Sequence, residues 1–244
     1  MPRIQQQPAY VLHARAFRET SLLLEVMTRD HGRTALVARG AKRPKSKWRN
    51  LLQPFRPLLI GWSARGELGT LTSADQVAAP PPLRGEALYC GIYLNELLIR
   101  LLHRGDPHPE VFESYRQVLA LLSSDDAPQP VLRIFEKHLL DAIGYGLMLD
   151  HESGTGAPLS EDAMYDYHPG RGPVRVNSGA EKKGRMVSGR ALLALKAEQL
   201  EDEILPELRS LMRRVIGYHL GDKPLASQSL FGGWKKGVRV KTQI

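Results

Sequence analysis

The residues of this sequence best suited to binding chemistry form a run of cations. Residues 38–50 carry six Lys or Arg, and the stretch without Asp or Glu extends over residues 31–66, with nine Lys or Arg. Exposed surfaces normally mix both signs of charge, so an unneutralised run of this length favours a polyanionic partner. A flexible basic loop without a particular ligand is the alternative. The flanking apolar segments argue against it, because they are typical of strands that fix the loop in place.

The side chains of this run match the chemistry of a nucleic acid. Lys and Arg contact phosphates whatever the base sequence, and an exposed aromatic ring can stack on an unpaired base. Trp48 lies between two of the cations and either stacks on bases or packs at the end of a barrel. A second basic cluster lies near the C-terminus. The predicted DNA-binding residues are Arg39, Lys42, Arg43, Lys45, Lys47, Trp48, Arg49, Lys235 and Lys236.

Composition narrows the class of protein. The chain has 244 residues, of which 42% are hydrophobic and 25% charged, as is ordinary for a soluble globular protein. A formal net charge of +8 favours a nucleic acid or an anionic surface as partner. No secretion signal or membrane-spanning run is found, and the single cysteine, Cys90, excludes an internal disulfide. We predict a cytoplasmic protein with no metal or other cofactor and no membrane partner.

Catalytic motifs are missing from the sequence. It has no GxxxxGK[ST] phosphate loop, no GxGxxG between a strand and a helix, and no GxSxG turn. Acidic clusters at residues 125–126, 161–162 and 201–203 could hold Mg²⁺ in a nuclease. Each lies in a polar connection or at a predicted helix start, where acids act as caps. The eight histidines lack metal-ligand spacing. We predict a binding protein and not an enzyme.

Short apolar segments on both sides of the basic run indicate strands. Five strands are predicted, at residues 9–15, 21–28, 33–39, 57–63 and 67–74. A tight turn is expected at Gly32, which can take a positive φ. Five strands with a long loop after the third are typical of a small closed Greek-key barrel of the OB type. An SH3-like barrel gives a similar pattern, so the topology stays open.

Helical periodicity follows the prolines at residues 80–82. The predicted helices cover residues 88–102, 110–122, 130–143, 189–197 and 204–220. Asn95 and Glu96 are expected to point outward or to cap a neighbouring backbone. The sequence thus predicts an α+β fold. Its parts are a five-stranded OB-type barrel at residues 1–79, a helical domain at 80–145 and 188–244, and an irregular or short-stranded insert at 146–187.

Motifs along nearly the whole chain resemble the RecO family of bacterial recombination mediators. They include RETSLLL, LVARGA, YLNELL, LRIFE, IGYG and GDKPLAS, at residues 18–24, 36–41, 93–98, 132–136, 143–146 and 221–227. The resemblance implies an OB fold, a helical domain and a third, often zinc-bearing insert. It also implies a nucleoid-associated protein that binds single- and double-stranded DNA and anneals complementary strands. With RecR, such a mediator loads RecA onto strands coated by single-stranded-DNA-binding protein.

Two departures from the family pattern matter. Zinc-binding relatives carry a CxxC pair where this chain has residues 150–156 (DHESGTG), and the second pair is missing from residues 170–178. Ser and Thr do not replace thiolate ligands, so the insert is expected to hold together without zinc. Gln228 stands where the family usually has Arg after its Pro-Leu-x-Ser motif, which leaves the contact of that Arg in doubt.

The resemblance also implies a partner site on the third predicted helix. The acidic C-terminal tail of single-stranded-DNA-binding protein ends in Phe and is expected to bind the helical domain. Arg133 and Lys137 are four residues apart and so share one helix face, with Phe135 adding apolar surface. The alternative is that Arg133 pairs on the surface with an acid such as Glu136 or Glu96.

Two other classes of function stay open. An RNA- or ribosome-binding OB protein would use the basic loop equally well, and comparing the affinity for single-stranded DNA with that for RNA of the same sequence separates the two classes. A nuclease acting through the acidic clusters would cleave DNA in the presence of Mg²⁺ or Mn²⁺.

Overall fold

The structure is a computed structural model that describes residues 3–64, 66, 68–124, 128–176, 186–221 and 223–227. The chain divides into two compact units. The first unit contains the described residues up to 124 together with 225–227. The second contains the described residues from 128 to 224. Within the described residues, no helix has the length and apolar character needed to cross a membrane.

A closed β-barrel forms the centre of the first unit. Its strands are β1 Arg3–Phe17, β2 Ser21–Thr28, β3 Gly32–Ala38, β4 Leu58–Ser63 and β5 Leu68–Gln76. They follow the order β1-β2-β3-β5-β4, with β3 and β5 parallel and β1 and β4 antiparallel where the barrel closes. This order is that of the OB fold. The predicted fold class is therefore confirmed, and the SH3-like alternative is excluded.

Alternation of apolar side chains explains how these segments assemble. Leu24 and Val26 of β2 and Leu36 of β3 are almost fully buried in the barrel core. The β2–β3 turn requires Gly32, whose φ is +63° as predicted. The backbone of Asp106 lies so close that a Cβ on Gly32 would fall 2.1 Å from its carbonyl oxygen.

Two helices, α1 Gly85–Leu101 and α2 Pro109–Leu122, complete the first unit. Tyr10 of β1 packs edge-on against Tyr115 of α2, with ring centroids 5.2 Å apart. The side chain of Asn95 is buried, and its amide donates a hydrogen bond to the Leu12 carbonyl oxygen at 2.9 Å. The Tyr115 hydroxyl donates to Asn95 Oδ1 at 2.5 Å. Asn95 thus caps a neighbouring backbone, one of the two roles expected for it, and no polar atom of its amide is buried unpaired.

The second unit combines three helices with a small sheet. Its elements are α3 Pro128–Ala142, β6 Met164–His168, β7 Gly172–Arg175, β8 Met186–Ser188, α4 Gly189–Ala197 and α5 Leu205–Leu220. The sheet is antiparallel in the order β7-β6-β8. The insert is thus short-stranded. Ser188 caps α4 by accepting a hydrogen bond from the backbone N–H of Ala191 at 3.1 Å.

The helices expected to form one domain are shared between the two units. The first two predicted helices, α1 and α2, belong to the unit of the barrel, whereas α3, α4 and α5 belong to the unit of the sheet.

Candidate nucleic-acid interface

The basic loop, residues 39–57, connects β3 to β4 and is held on the barrel by its own apolar residues. Ala41 and Leu52 are buried in the barrel core, and Leu51 packs against that core while partly exposed. Burying these side chains removes apolar surface from water at roughly 25 cal/mol per Å². The loop is therefore part of the folded barrel and not a free arm.

Backbone hydrogen bonds fix the path of the basic loop. Lys42 N–H donates to the Thr20 carbonyl in the β1–β2 turn at 2.9 Å, which ties the loop to that turn. A succession of tight turns follows, with the donor and acceptor three or four residues apart. Their donor–acceptor pairs are Arg43–Gly40, Ser46–Arg43, Arg49–Ser46, Leu51–Trp48 and Leu52–Trp48.

The cations of the basic loop point into solvent. Arg56, near the end of the loop, is partly exposed and donates to Gln76 Oε1 at 2.7 Å. The other six are exposed: Arg39, Lys42, Arg43, Lys45, Lys47 and Arg49. Among the described residues, no carboxylate lies within 4.0 Å of any of them. Elsewhere on the same unit arginines are neutralised, as Arg29 is by Asp30 and Arg33 by Glu25. The loop thus concentrates positive charge that the described part of the protein does not compensate.

Trp48 packs against the barrel core while part of its side chain stays exposed. The indole Nε1 is buried and has no hydrogen-bond partner among the described residues. Lys47 Nζ lies 5.9 Å from the centroid of the ring, so one cation is placed over the aromatic surface that anchors the loop.

A row of outward side chains beside the basic loop adds a residue that the sequence did not single out. Arg15, Leu23, Val37 and Thr70 are paired in register across β1, β2, β3 and β5. The neighbouring row, formed by Ala14, Leu24 and Leu36, points into the core. Because side chains alternate between the two faces of a strand, the row of Arg15 faces outward. Arg15 is exposed, and the basic loop begins two residues after Val37. The outward row therefore continues the positive surface onto the barrel wall.

The β1–β2 turn contributes another exposed cation. The Arg18 guanidinium lies over the Phe17 ring at 5.3 Å from its centroid, and the carbonyl of Thr20 in the same turn accepts the hydrogen bond from Lys42. This turn and the first residues of the basic loop therefore form one continuous surface. Neither Arg15 nor Arg18 has a carboxylate within 4.0 Å in the described part of the chain.

The predicted partner residues on α3 have different environments. Arg133 is only 5% exposed and donates to Glu136 Oε1 at 2.7 Å in the interior of the second unit. Phe135 is fully buried, so the expectation that it offers apolar surface to a partner needs correction. Lys137 donates to Glu198 Oε1 at 2.6 Å. The two cations thus engage different carboxylates, and Arg133 pairs with Glu136 in the core and not on the surface.

Glu96 has a role of its own in the first unit. Its two carboxylate oxygens accept hydrogen bonds from the backbone N–H groups of Ala226 and Ser227, both at 2.8 Å. Burial raises the pKa of Glu96, but the hydrogen bonds from Ser227 and Ala226 outweigh it and leave the pKa below its ordinary value. Glu96 thereby fixes the Pro-Leu-x-Ser motif on α1. Gln228, Lys235 and Lys236 lie outside the described residues.

In the insert, a carboxylate lies within the segment DHESGTG at residues 150–156. Glu152 is buried and accepts hydrogen bonds from Thr155 Oγ1 at 3.0 Å and from the Tyr165 hydroxyl at 3.3 Å. Arg175 lies 3.5 Å from the same carboxylate. The described residues contain no group of three or more His, Cys, Asp or Glu that could hold a metal, and Cys90 is buried in α1.

Comparison with known proteins agrees with these features. Residues 1–80 match the family described as Recombination protein O N terminal, and residues 83–229 match Recombination protein O C terminal. A DNA repair protein RecO of Nitrosococcus oceani is 47% identical over 229 residues, which cover 93% of each chain. A protein of the same name from Dechloromonas aromatica is 46% identical over 94% of this chain and 96% of its own. The DNA repair protein RecO of Nitrosospira multiformis is 45% identical over 93% of this chain and 95% of its own. The two domain matches and the identity over almost the whole length place this chain in the RecO family.

Proposed function

We propose that this protein binds DNA and acts as a mediator in DNA repair and recombination. The observation that supports this best is the exposed, uncompensated charge of a loop whose backbone is fixed on the barrel. Cations on a preorganised loop contact phosphates without first ordering the chain, which lowers the entropic cost of binding. The relatives carry the name DNA repair protein RecO, and their likeness over the whole chain supports the same role here.

The basic loop and the outward row together suit both single and double strands. Phosphate contacts need no particular base, so a surface of this kind binds either form of DNA. Neutralising the phosphates of one strand also reduces its repulsion of a second, which is the electrostatic requirement for annealing. We propose that the protein anneals complementary strands. With RecR it helps to load RecA onto strands coated by single-stranded-DNA-binding protein, and it hydrolyses no nucleotide itself.

Strand annealing tests this proposal directly. Two complementary oligonucleotides, free or coated with single-stranded-DNA-binding protein, are mixed with the wild-type protein or with a variant in which Lys42, Arg43, Lys45 and Lys47 are Ala. Wild type should accelerate annealing of both substrates, and the variant should lose most of that acceleration. Equal rates for the two proteins would contradict the role given to the loop. Incubation of labelled DNA with Mg²⁺ or Mn²⁺ checks for cleavage, which would indicate a nuclease.

The tail of single-stranded-DNA-binding protein is the second proposed partner. Of the three residues predicted to meet it on α3, Lys137 is the least buried, with 15% of its side chain exposed and its ammonium bonded to Glu198, whereas Arg133 and Phe135 are buried within the second unit. Lys137→Ala should weaken binding of a tail peptide by roughly 1–3 kcal/mol, as expected for a charge-assisted contact. Lys196→Ala, on α4, removes another cation bonded to a carboxylate and serves as the control. Unchanged peptide affinity would place the tail elsewhere.

A preference for RNA would change the class of function. Direct contacts to phosphates do not distinguish RNA from DNA, whereas contacts to the 2′-hydroxyl do. Affinity measured for single-stranded DNA and RNA of one sequence at one salt concentration should favour DNA or be equal. A marked preference for RNA would support a ribosome- or RNA-binding protein instead.

A further inference from the structure

The second unit contains an open cavity of about 300 Å³ that none of the contacts above involves. It lies beside the segment that follows α3 and is lined mainly by aromatic and apolar side chains, with one arginine at its edge. The residues important for its chemistry are Tyr145, Met148, Tyr167, Arg171, Val215 and His219. The accessible lining is polar and apolar in about equal parts, and a concave site that combines aromatic side chains with placed polar groups is a usual form of a ligand site.

The end of α3 fixes the position of Tyr145. Gly144 takes a φ of +81°, and its N–H donates to the Asp141 carbonyl at 3.1 Å. The N–H of Tyr145 donates to the Leu140 carbonyl at 2.8 Å. This pair of bonds is the Schellman arrangement, which ends a helix and sets the direction of the next residue. Tyr145 is therefore positioned by a rigid helix end, although its side chain is 51% exposed.

Tyr145 and His219 form a stacked aromatic surface at the cavity. Their ring centroids are 4.1 Å apart and their planes differ by 17°. His219 covers one face of the Tyr145 ring. Because about half of Tyr145 is exposed, the other face of its ring is available to a planar ligand. Tyr218, 64% exposed, lies edge-on to His219 at 5.2 Å and extends the aromatic surface. A single exposed aromatic ring is ordinary, whereas a contiguous patch of exposed rings often marks a binding surface.

Charge at the cavity suits an anion attached to that planar group. Arg171 lies in the β6–β7 turn, is exposed, and has no carboxylate within 4.0 Å in the described part of the chain. The Tyr167 hydroxyl accepts a hydrogen bond from the Met148 N–H at 3.0 Å, and burial raises the pKa of Tyr167 to about 12. The Tyr167 hydroxyl is therefore neutral at physiological pH, the Asp141 carboxylate lies beside Gly146 and also raises the pKa of Tyr167, and Arg171 supplies positive charge at the cavity.

We infer that this cavity binds an unpaired base of single-stranded DNA, stacked on Tyr145, with the adjoining phosphate at Arg171. The inference rests on the proposed DNA-binding function and gives the second unit a contact with bases, whereas the basic loop contacts phosphates. A base fits because it combines a planar ring with a nearby negative charge, and base–aromatic stacking tolerates any sequence. An apolar peptide end is the competing occupant.

Two oligonucleotides of equal charge isolate this contact. One is dT15, and the other is a 15-mer of abasic sites, which has the same phosphates without bases. The full-length protein should prefer dT15 by roughly tenfold, the effect of stacking on one aromatic residue. Tyr145→Ala should remove most of that preference, and Tyr145→Trp should retain it. Arg213→Ala, an exposed cation of α5 outside the cavity, should leave the ratio of the two affinities unchanged.

The failure of this inference is distinguishable from a failure of the proposed function. Alanine substitutions in the basic loop should weaken both oligonucleotides equally, whatever happens at the cavity. Photocrosslinking with 5-iodouracil in place of thymine should modify Tyr145 or Tyr218. An unchanged affinity ratio in Tyr145→Ala, or crosslinks confined to the first unit, would overturn the inference. If Tyr145→Ala instead loses binding to an acidic peptide ending in Phe, while its ratio of affinities for the two oligonucleotides stays as in wild type, the cavity binds a peptide.

Discussion

The basic loop of the first unit and the α3 region of the second both concentrate charge, but in opposite ways. In the loop six cations are exposed without described carboxylates nearby, whereas Arg133 is buried and bonded to Glu136. An exposed cation stays hydrated and available to a phosphate. A buried one must be satisfied internally, because removing a charge from water costs several kcal/mol. The same residue type therefore serves binding in one region and the integrity of the fold in the other.

Breaking the buried pair should have the largest effect on stability. Arg133→Ala removes the cation from which Glu136 accepts a hydrogen bond and should lower the free energy of unfolding by about 3–5 kcal/mol. Arg116 pairs with Glu113 at the same three-residue spacing on an exposed face, so Arg116→Ala is the matched control, with an expected loss below about 1 kcal/mol. Urea unfolding measures both. Equal losses would show that burial does not distinguish the two pairs.

Removing the loop cations should have the largest effect on DNA binding and little on stability. Replacing Lys42, Arg43, Lys45 and Lys47 by Ala should reduce the slope of log affinity against log salt by roughly 3 and weaken single-strand binding at 0.1 M salt by roughly a hundredfold. Fluorescence anisotropy over a salt series gives the slope. Arg29→Ala removes an exposed cation that Asp30 already neutralises, and it should leave the slope as in wild type. If the loop variant keeps the wild-type slope, the DNA lies elsewhere.

The insert offers a second test of buried charge. Glu152→Ala should lower the free energy of unfolding by about 1–3 kcal/mol, since the Thr155 and Tyr165 hydroxyls lose their acceptor. Addition of a zinc chelator should leave the melting temperature of the wild type unchanged. A lower melting temperature on chelation, together with near-stoichiometric zinc by elemental analysis, would contradict a metal-free insert.

A single cation on the barrel wall should have a smaller effect. Arg15→Ala should reduce the salt slope for single strands by roughly 0.7, corresponding to one phosphate contact. Arg104→Ala removes an arginine that Glu25 already pairs with and serves as the comparison. No difference between the two variants would restrict the interface to the basic loop.

The pH dependence of the Glu96 contact should have the smallest effect. Its pKa is lower in the folded protein than in the unfolded chain, so its contribution to stability is present above the ordinary carboxyl pKa of about 4.3 and is lost as pH falls through the folded value. The stability difference between wild type and Glu96→Gln should therefore be constant near neutral pH and shrink below about pH 4. A difference that grows on acidification would contradict the assignment.

The sequence predicted most of the elements, because their apolar periodicity matches what the core buries. Leu132, Phe135 and Leu139 recur at helical spacing along α3, and all three are buried. The burial of Arg133 and Glu136 beside them could not be predicted. In a sequence, opposite charges three residues apart on a helix predict an ion pair on its surface. Whether the pair is buried depends on the elements that pack around the helix.

The direction of Arg15 shows a different limit of sequence analysis. Val11 and Ala14 both contact the barrel core. In a regular strand, side chains three residues apart point to opposite faces, so both could not point inward. The pairing of β1 with β2 shifts between Val11 and His13, where a bulge inserts one residue and reverses the alternation. Without the bulge Arg15 would point into the core. Its exposure depends on one backbone irregularity that leaves no clear signal in the sequence.

Closure of the barrel affects how partners can recognise the protein. Each of the five strands β1–β5 is hydrogen-bonded on both sides, so the barrel presents no edge strand for a peptide to extend. Among the strands that the structure describes, β7 and β8, the outer strands of the small sheet, are the ones left for a protein that binds by adding a strand. The Ser153 N–H already bonds to the outward carbonyl of Pro173 in β7 at 2.7 Å, which blocks part of that edge. The Ser188 N–H of β8 likewise donates to Glu207 Oε2 at 2.8 Å, so each outer strand of the small sheet already has part of its backbone bonded. Side chains and loops are thus left as the means of recognition on the barrel.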